Sequence, residues 1–385
     1  MPALRGVAQL LASLPYQLDY RPERSLVLVA GWLGPAPSGP GGTSLSEVEV
    51  TLRVDLPPQP EHLDAVLDQV VPALARAVRH HRPELWHPDQ WEEDGWETKQ
   101  PALLGHLFVY DGEDGDDGLV VELLERARAR LMTVGTAVLE LHVVRGDSYL
   151  PVVTAGDPVP GRVEAGVLVH TAADWQQVAD PSEVPAVADY VLAGRNPDQR
   201  RGDVVDGVRQ RDGRAAAATS LAVDLLMMDP SRLDEPGALR ALGRWAVDGE
   251  ELSARERAAV AVTLTDRFVR DLVLCRWVPR LFPRSAMVLR PGDDELCDAV
   301  AQPGDVPGGT VVSRLLVLAG RLPEDLSVPV LTIAGCLAWS EGDGTVANEA
   351  IALALEHDPG YRMALLIRAA LAQGVSPRMM AAAAA

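Results

Sequence analysis

The feature that most constrains this chain is a change of hydrophobic period along its length. Up to about residue 175 the apolar residues come in short runs and strict alternations, and beyond it they recur at helical spacing. The run from Ser25 to Gly31 is almost continuously apolar, as a strand covered on both faces would be. Val48, Val50, Leu52 and Val54 alternate with polar residues, which predicts a half-buried strand ended by Pro57 and Pro58. Leu63, Val66, Val70, Leu74 and Val78 predict an amphipathic helix over 60–81. Strands are then predicted over 102–110 and 136–144, with a helix over 119–131 between them, and two shorter strands near 150–154 and 162–169. Strand–helix–strand alternation predicts parallel crossovers. No helix separates the first two strands, so the expectation is an α/β domain over 1–175 with a mixed, largely parallel sheet.

The rest, 176–385, is expected to be an all-α domain. Helices are predicted near 183–194, 214–228, 236–247, 253–276, 311–320, 328–340, 345–357 and 361–373, with an irregular connection over 277–310. Ser253 followed by Glu256 is a capping-box signature, which satisfies two backbone donors that a helix start leaves orphaned. Gly335, Ala347, Ala354 and Pro359 have the spacing of the small and terminal positions of a tetratricopeptide repeat. Gly335 and Ala347 would let two antiparallel helices approach closely, Ala354 would leave room for the next helix, and Pro359 would end the second. A lone repeat cannot bury its own face, so this tetratricopeptide-like helical hairpin must pack on other helices or on a partner. Tyr361, just past the break, joins these four as a candidate interaction residue.

Charge removes some functions. The net charge is −20 and each half of the chain is acidic. Nucleic acid and anionic membrane surfaces both require a positive face, so neither is an expected partner. The local exception is 195–214, where Arg195, Arg200, Arg201, Arg209, Arg211 and Arg214 stand against four aspartates. That segment reads either as a clamp for a phosphate or carboxylate or as a mixed-charge linker. The longest apolar run, Leu326 to Trp339, is short of the roughly 20 residues that span a bilayer. Cys275, Cys297 and Cys336 are scattered, with neither a disulfide framework nor a CxxC pair, and the start of the chain lacks a secretory pattern. A reducing cytoplasm is the expected setting.

Candidates for chemistry are few. The glycine-rich loop at 34–42 carries Pro35, Pro37 and Pro40, which have no N–H to cradle a phosphate. The single lysine, Lys99, does not follow it. His80, His81 and His87 have no metal-ligand spacing, and no residue has the context of an activated nucleophile. Neither a metal nor a cofactor is expected. One constellation remains: an acidic run beginning at Asp111 follows a strand that should be central, and ligands of open α/β sheets sit beyond such strand ends. Asp111, Asp114 and Asp116, with Arg145, Ser148 and Tyr149 near the end of the strand 136–144, are the candidate ligand-binding residues.

Several segments together resemble one family. They are Leu10 to Val29, Arg53 to Pro57, Val143 to Leu150, Ala193 to Pro197, Thr265 to Asp271, and Gly342 to Ala350 with His357 to Tyr361. In order and over nearly the whole chain they resemble the actinobacterial proteins grouped as domain of unknown function 4192. The resemblance implies no established activity. Members of that group carry paired tryptophans where this chain has Gly146 and Asp147, and several cysteines where it has Pro151 to Pro158, so any chemistry of that cysteine cluster is absent here. The sequence favours a non-enzymatic interaction or scaffold protein that binds a protein partner, or itself as a homo-oligomer, through its helical half. The alternative is a small-molecule or nucleotide-binding α/β enzyme with its site where the strands 102–110 and 136–144 end.

Overall fold

The computed structural model describes residues 6–33, 45–57, 62–65, 67, 68, 70–72, 103–111, 117–132, 136–154, 162–164, 167–192, 197, 201–288, 293–302, 304 and 306–372. The loop 34–42, the three histidines around Pro83, Lys99, Asp114, Asp116, Arg195 and Arg200 lie outside the described residues. The chain divides into two units, Met1–Pro15 with Pro22–Asp189, and Tyr16–Arg21 with Tyr190–Ala385.

The first unit is built on strands β1 (Ser25–Leu33), β2 (Leu45–Asp55), β3 (Leu103–Tyr110), β4 (Thr136–Arg145), β5 (Ser148–Thr154), β6 (Arg162–Glu164), β7 (Val167–Val169) and β8 (Gln176–Gln177). Helix α1 (Val7–Leu18) precedes β1, and α2 (Asp117–Met132) joins β3 to β4. The strand order is β2-β1-β3-β4-β5-β6-β7, with β8 paired to β5. The sheet is mixed as expected but not largely parallel, because five of its seven pairings are antiparallel. The reason is insertion. β2 and β3 both run antiparallel to β1 and therefore parallel to each other, but β1 lies between them and takes their hydrogen bonds. Alternation of strand and helix gives strand direction; it does not say which strand sits in between. Of the predicted crossovers only β3–α2–β4 closes a directly paired parallel couple.

β1 is covered on both faces, as its unbroken apolar run requires. Leu26, Leu28 and Ala30 pack with Leu63, Leu67 and Val70 and with Val120, Leu123, Leu124, Ala127 and Leu131 of α2. Val27 and Val29 are equally buried on the other face. That face also carries a ladder of rings, with Phe108 stacked on His142 at 5.1 Å and Tyr149 edge-on to His142 at 5.8 Å. β4 and β5 form a hairpin with Arg145 opposite Ser148. Gly146 has φ +56°, the left-handed value that a two-residue hairpin turn needs at its first position.

The second unit is helical: α3 (Pro185–Leu192) bridges the chain division, followed by α4 (Arg201–Arg209), α5 (Gly213–Met228), α6 (Glu235–Gly243), α7 (Ala254–Thr263), α8 (Arg267–Trp277), α9 (Asp294–Ala299), α10 (Gly308–Gly320), α11 (Glu324–Ser340), α12 (Gly344–His357) and α13 (Arg362–Ala372). α11 is buried at every position from Ser327 to Trp339, so it is the central helix of the core. Among the described residues no helix is long and apolar enough to cross a membrane. With few aromatics available, two tryptophans anchor the packing and each finds a backbone acceptor. The Nε1–H of Trp245 donates to the Arg314 carbonyl at 2.8 Å and that of Trp277 to the Ala301 carbonyl at 2.6 Å. Cys336 is fully buried there, and desolvation pushes its thiol up to about 12. A neutral thiol reagent at pH 8 is therefore expected to modify Cys336 only after denaturant is added; native-state labelling as fast as at half-buried Cys297 would contradict that burial.

Three helix boundaries depart from the sequence reading. The helix predicted over 253–276 is two. Its start at Ser253 has the capping box, with the Ser253 N–H donating to Glu256 Oε2 at 2.9 Å and the Glu256 N–H to Ser253 Oγ at 3.3 Å. At Asp266 the chain restarts, because that carboxylate accepts from the Phe268 N–H at 2.8 Å and supplies a second N-cap. Local capping outweighed an uninterrupted apolar period. α9 lies inside the expected irregular connection, and α4 inside the arginine-rich segment. α4 forms despite Gly202 and Gly207, at roughly 1 kcal/mol each in propensity, because it is held from outside. Val208 is buried in the helical core, Arg209 grips Glu356 at 2.7 and 2.9 Å, Arg211 meets Glu324 at 2.6 Å, and the Asp212 N–H donates to the Gly320 carbonyl at 2.9 Å.

Candidate functional site

The parallel register of β3 and β4 sets Tyr110 beside Val144, so the next residues, Asp111 and Arg145, emerge together at the carboxyl end of the sheet. They form a two-point ion pair, with Arg145 Nε to Asp111 Oδ1 at 3.0 Å and Nη2 to Asp111 Oδ2 at 2.6 Å. The same Nη2 donates to Asp117 Oδ1 at 2.6 Å, and Asp117 opens α2. Asp111 is 5% exposed at its side chain and Arg145 19%. The hydrogen bonds that Arg145 donates to Asp111 are the main reason the guanidinium is held protonated even more firmly than usual. The chain of contacts continues. His170 Nε2 lies 3.5 Å from Asp117 Oδ2, the Trp175 Nε1–H donates to His170 Nδ1 at 3.2 Å, and Arg145 sits over the Trp175 ring at 5.4 Å. Beside it β8 is tied to β5, with the Gln177 amide donating to Ser148 Oγ at 2.8 Å and the Tyr149 hydroxyl donating to Gln176 Oε1 at 2.6 Å.

A surface depression lined by Arg145, Ser148, His170, Ala172 and Trp175 overlies this cluster. Its chemistry is largely committed to the fold. One guanidinium faces two carboxylates, so no net positive charge is left over for an anionic ligand. His170 accepts a hydrogen bond at Nδ1 from the Trp175 Nε1–H and turns Nε2 toward Asp117, so both ring nitrogens face partners within the fold. The structure thus brings together Asp111, Arg145 and Ser148 from the candidate set, whereas Tyr149 lies on the opposite face of β5 against His142. Asp117, His170 and Trp175 escaped the sequence reading. Asp117 was signalled by its place at the start of a predicted helix; His170 and Trp175 carry no motif. Among the described residues no group of three or more His, Cys, Asp or Glu side chains is arranged to hold a metal ion.

The interaction candidates of the second unit separate into two kinds. Gly335, Ala347 and Ala354 are interior. A Cβ at Gly335 would stand 2.9 Å from Ile351 Cγ1 and 3.4 Å from the Ala347 carbonyl oxygen, so α11 and α12 pack closely enough that any side chain there would force Ile351 to shift. Pro359 follows the last turn of α12, where the Asp358 N–H donates to the Ala354 carbonyl at 2.9 Å. Tyr361 is at a surface. Its hydroxyl accepts from Arg270 Nη1 at 2.8 Å, and Arg270, only 5% exposed, also donates to Asp271 Oδ1 from Nε at 2.8 Å and Nη2 at 2.6 Å. The arginine-rich segment behaves as a strap. Arg209 and Arg211 are paired with carboxylates of α12 and α11, which leaves less charge for a phosphate clamp.

Residues 8–378 match the family described as Domain of unknown function (DUF4192), and the chain belongs to that family. No curated protein and no solved structure matches it.

Proposed function

We propose that this family member is a non-enzymatic interaction protein that docks a protein partner, a second copy or another chain, through its helical unit. One observation carries the reading. On α5 only Ala216 and Thr219 are buried, while Leu221, Leu225 and Met228 are 66%, 62% and 81% exposed at spacings of four and three. A helix of a folded monomer normally turns that stripe inward. Here it faces outward, and burying each side chain is worth about 1.5–3 kcal/mol to whatever covers it. Support also comes from the α11–α12 hairpin, whose glycine-tight approach and following helix are what a tetratricopeptide-like unit requires, and from the committed chemistry of the Arg145 cluster. A cytoplasmic setting fits the three free thiols.

Native mass spectrometry on protein purified gently from its own host tests this. The expected result is a complex heavier than the monomer that is lost in a Leu221→Glu, Leu225→Glu variant whose melting temperature is unchanged. A bare monomer for both proteins overturns the reading.

A further inference from the structure

A cleft in the helical unit lies where α8 and the start of α13 meet, lined by Arg267, Arg270, Asp271, Asp358, Tyr361 and Arg362, with Met363 and Leu366 at its apolar side. Its charges fall into two groups. Arg270 and Asp271 are bound to each other, and Asp358 receives the Gly360 N–H at 2.9 Å. Arg267 and Arg362 are exposed and, among the described residues, make no ion pair. In a chain of net charge −20, two such arginines in one cleft give a local positive surface.

Tyr361 adds a directed donor. Because its oxygen already accepts from Arg270, its own O–H is left for another acceptor, and burial raises its pKa so that the proton stays on at neutral pH. Residues of the first turn of α13 line the same cleft, and the first N–H groups of an α-helix have no partner within the helix. The Arg267 and Arg362 guanidinium groups, the Tyr361 O–H and these N–H groups all ask for an anion. Its valence follows from the lining, where three arginines and two aspartates leave a net charge of +1, suited to one carboxylate rather than a doubly charged phosphate. Leu366, 57% exposed, places an apolar surface beside the cation pair.

We infer that this cleft binds an acidic peptide segment of a partner protein, seating one carboxylate between Arg267, Arg362 and the Tyr361 hydroxyl and an adjacent apolar side chain on Leu366. This rests on the interaction reading above but uses a different surface from the α5 stripe.

The test is to pan an unbiased seven-residue peptide display library on the full chain, then measure the enriched peptides by fluorescence anisotropy. Enriched sequences are expected to carry Asp or Glu next to Leu, Ile or Phe. Arg267→Glu with Arg362→Glu, both exposed and so safe for folding, should weaken them at least tenfold, and Tyr361→Phe a few fold. Affinity should fall as salt rises. The Leu221→Glu, Leu225→Glu variant should bind the peptides unchanged, which separates this site from the stripe. The inference is overturned if nothing enriches, if the enriched set lacks acidic residues, or if the double arginine variant binds it as well as the parent. A native complex that persists in that variant would place the partner elsewhere while leaving the interaction reading intact.

Discussion

Arg145→Ala is expected to destabilise the first unit by about 3 kcal/mol, one of the two largest single-residue effects anticipated in this chain. The loss does not come from the attraction itself. An ion pair in a partly dry site roughly balances its desolvation; removing one partner strands the other. Asp111, 5% exposed, would be left with its charge buried and its two guanidinium donors gone, and Asp117 would lose its 2.6 Å bond. Two comparisons isolate the cause. Arg145→Met combined with Asp111→Leu removes both charges and should recover most of the loss. Arg209→Ala, which breaks a solvent-exposed pair with Glu356, should cost less than about 1 kcal/mol. Urea unfolding of the three variants decides it. If Arg145→Ala costs as little as Arg209→Ala, the cluster is not a structural closure of the sheet end, and a ligand role for its charges regains ground.

The same cluster shows how far a sequence carries. The Ser25–Gly31 run, the alternation to Val54, and the helix over 119–131 reflect side-chain periods that survive without knowledge of neighbours, and the elements stand where those periods put them. Sheet order is different in kind. That β1 slots between β2 and β3 depends on its pairing with β3 across 73 to 85 residues of chain separation, from Gly31↔Leu104 to Ser25↔Tyr110, which no local period encodes. The site divides along the same line. Asp111 and Arg145 were legible because each ends a predicted strand, and parallel neighbours end together. Trp175 and His170 were not, because a short loop after β7 brings them back over the sheet end. The restart at Asp266 was missed because one carboxylate capping a helix looks, in sequence, like one polar residue on an amphipathic face. The arginine-rich segment was read for its charge, whereas buried Val208 and the partners Glu356 and Glu324, more than a hundred residues away, determine what it does.

Gly335 offers the complementary case, in which a small residue read from spacing alone is expected to control a whole interface. Two effects oppose each other when it is replaced. A helix interior gains about 1 kcal/mol on going from glycine to alanine. Against that, the new Cβ would lie 2.9 Å from Ile351 Cγ1 and 3.0 Å from its Cδ1, and Ile351 is 1% exposed and has little room to retreat. For Gly335→Ala these terms nearly cancel, and a change within about 1 kcal/mol is expected. For Gly335→Leu they do not. Three further carbons must enter a fully buried seam between α11 and α12, at about 3 kcal/mol of overpacking. In a unit of this size that lowers the melting temperature by roughly 6–12 °C. Gly207 in α4, where a Cβ would meet nothing within 4 Å, supplies the control, because Gly207→Ala should be neutral or up to about 1 kcal/mol stabilising. Thermal unfolding of the three proteins separates propensity from packing. Were Gly335→Leu as harmless as Gly207→Ala, α11 and α12 would have space to spare, and the close approach on which the repeat-like reading depends would be lost. A large loss confined to the leucine variant would instead tie the stability of the helical unit to the one position where the sequence demanded that two helices touch.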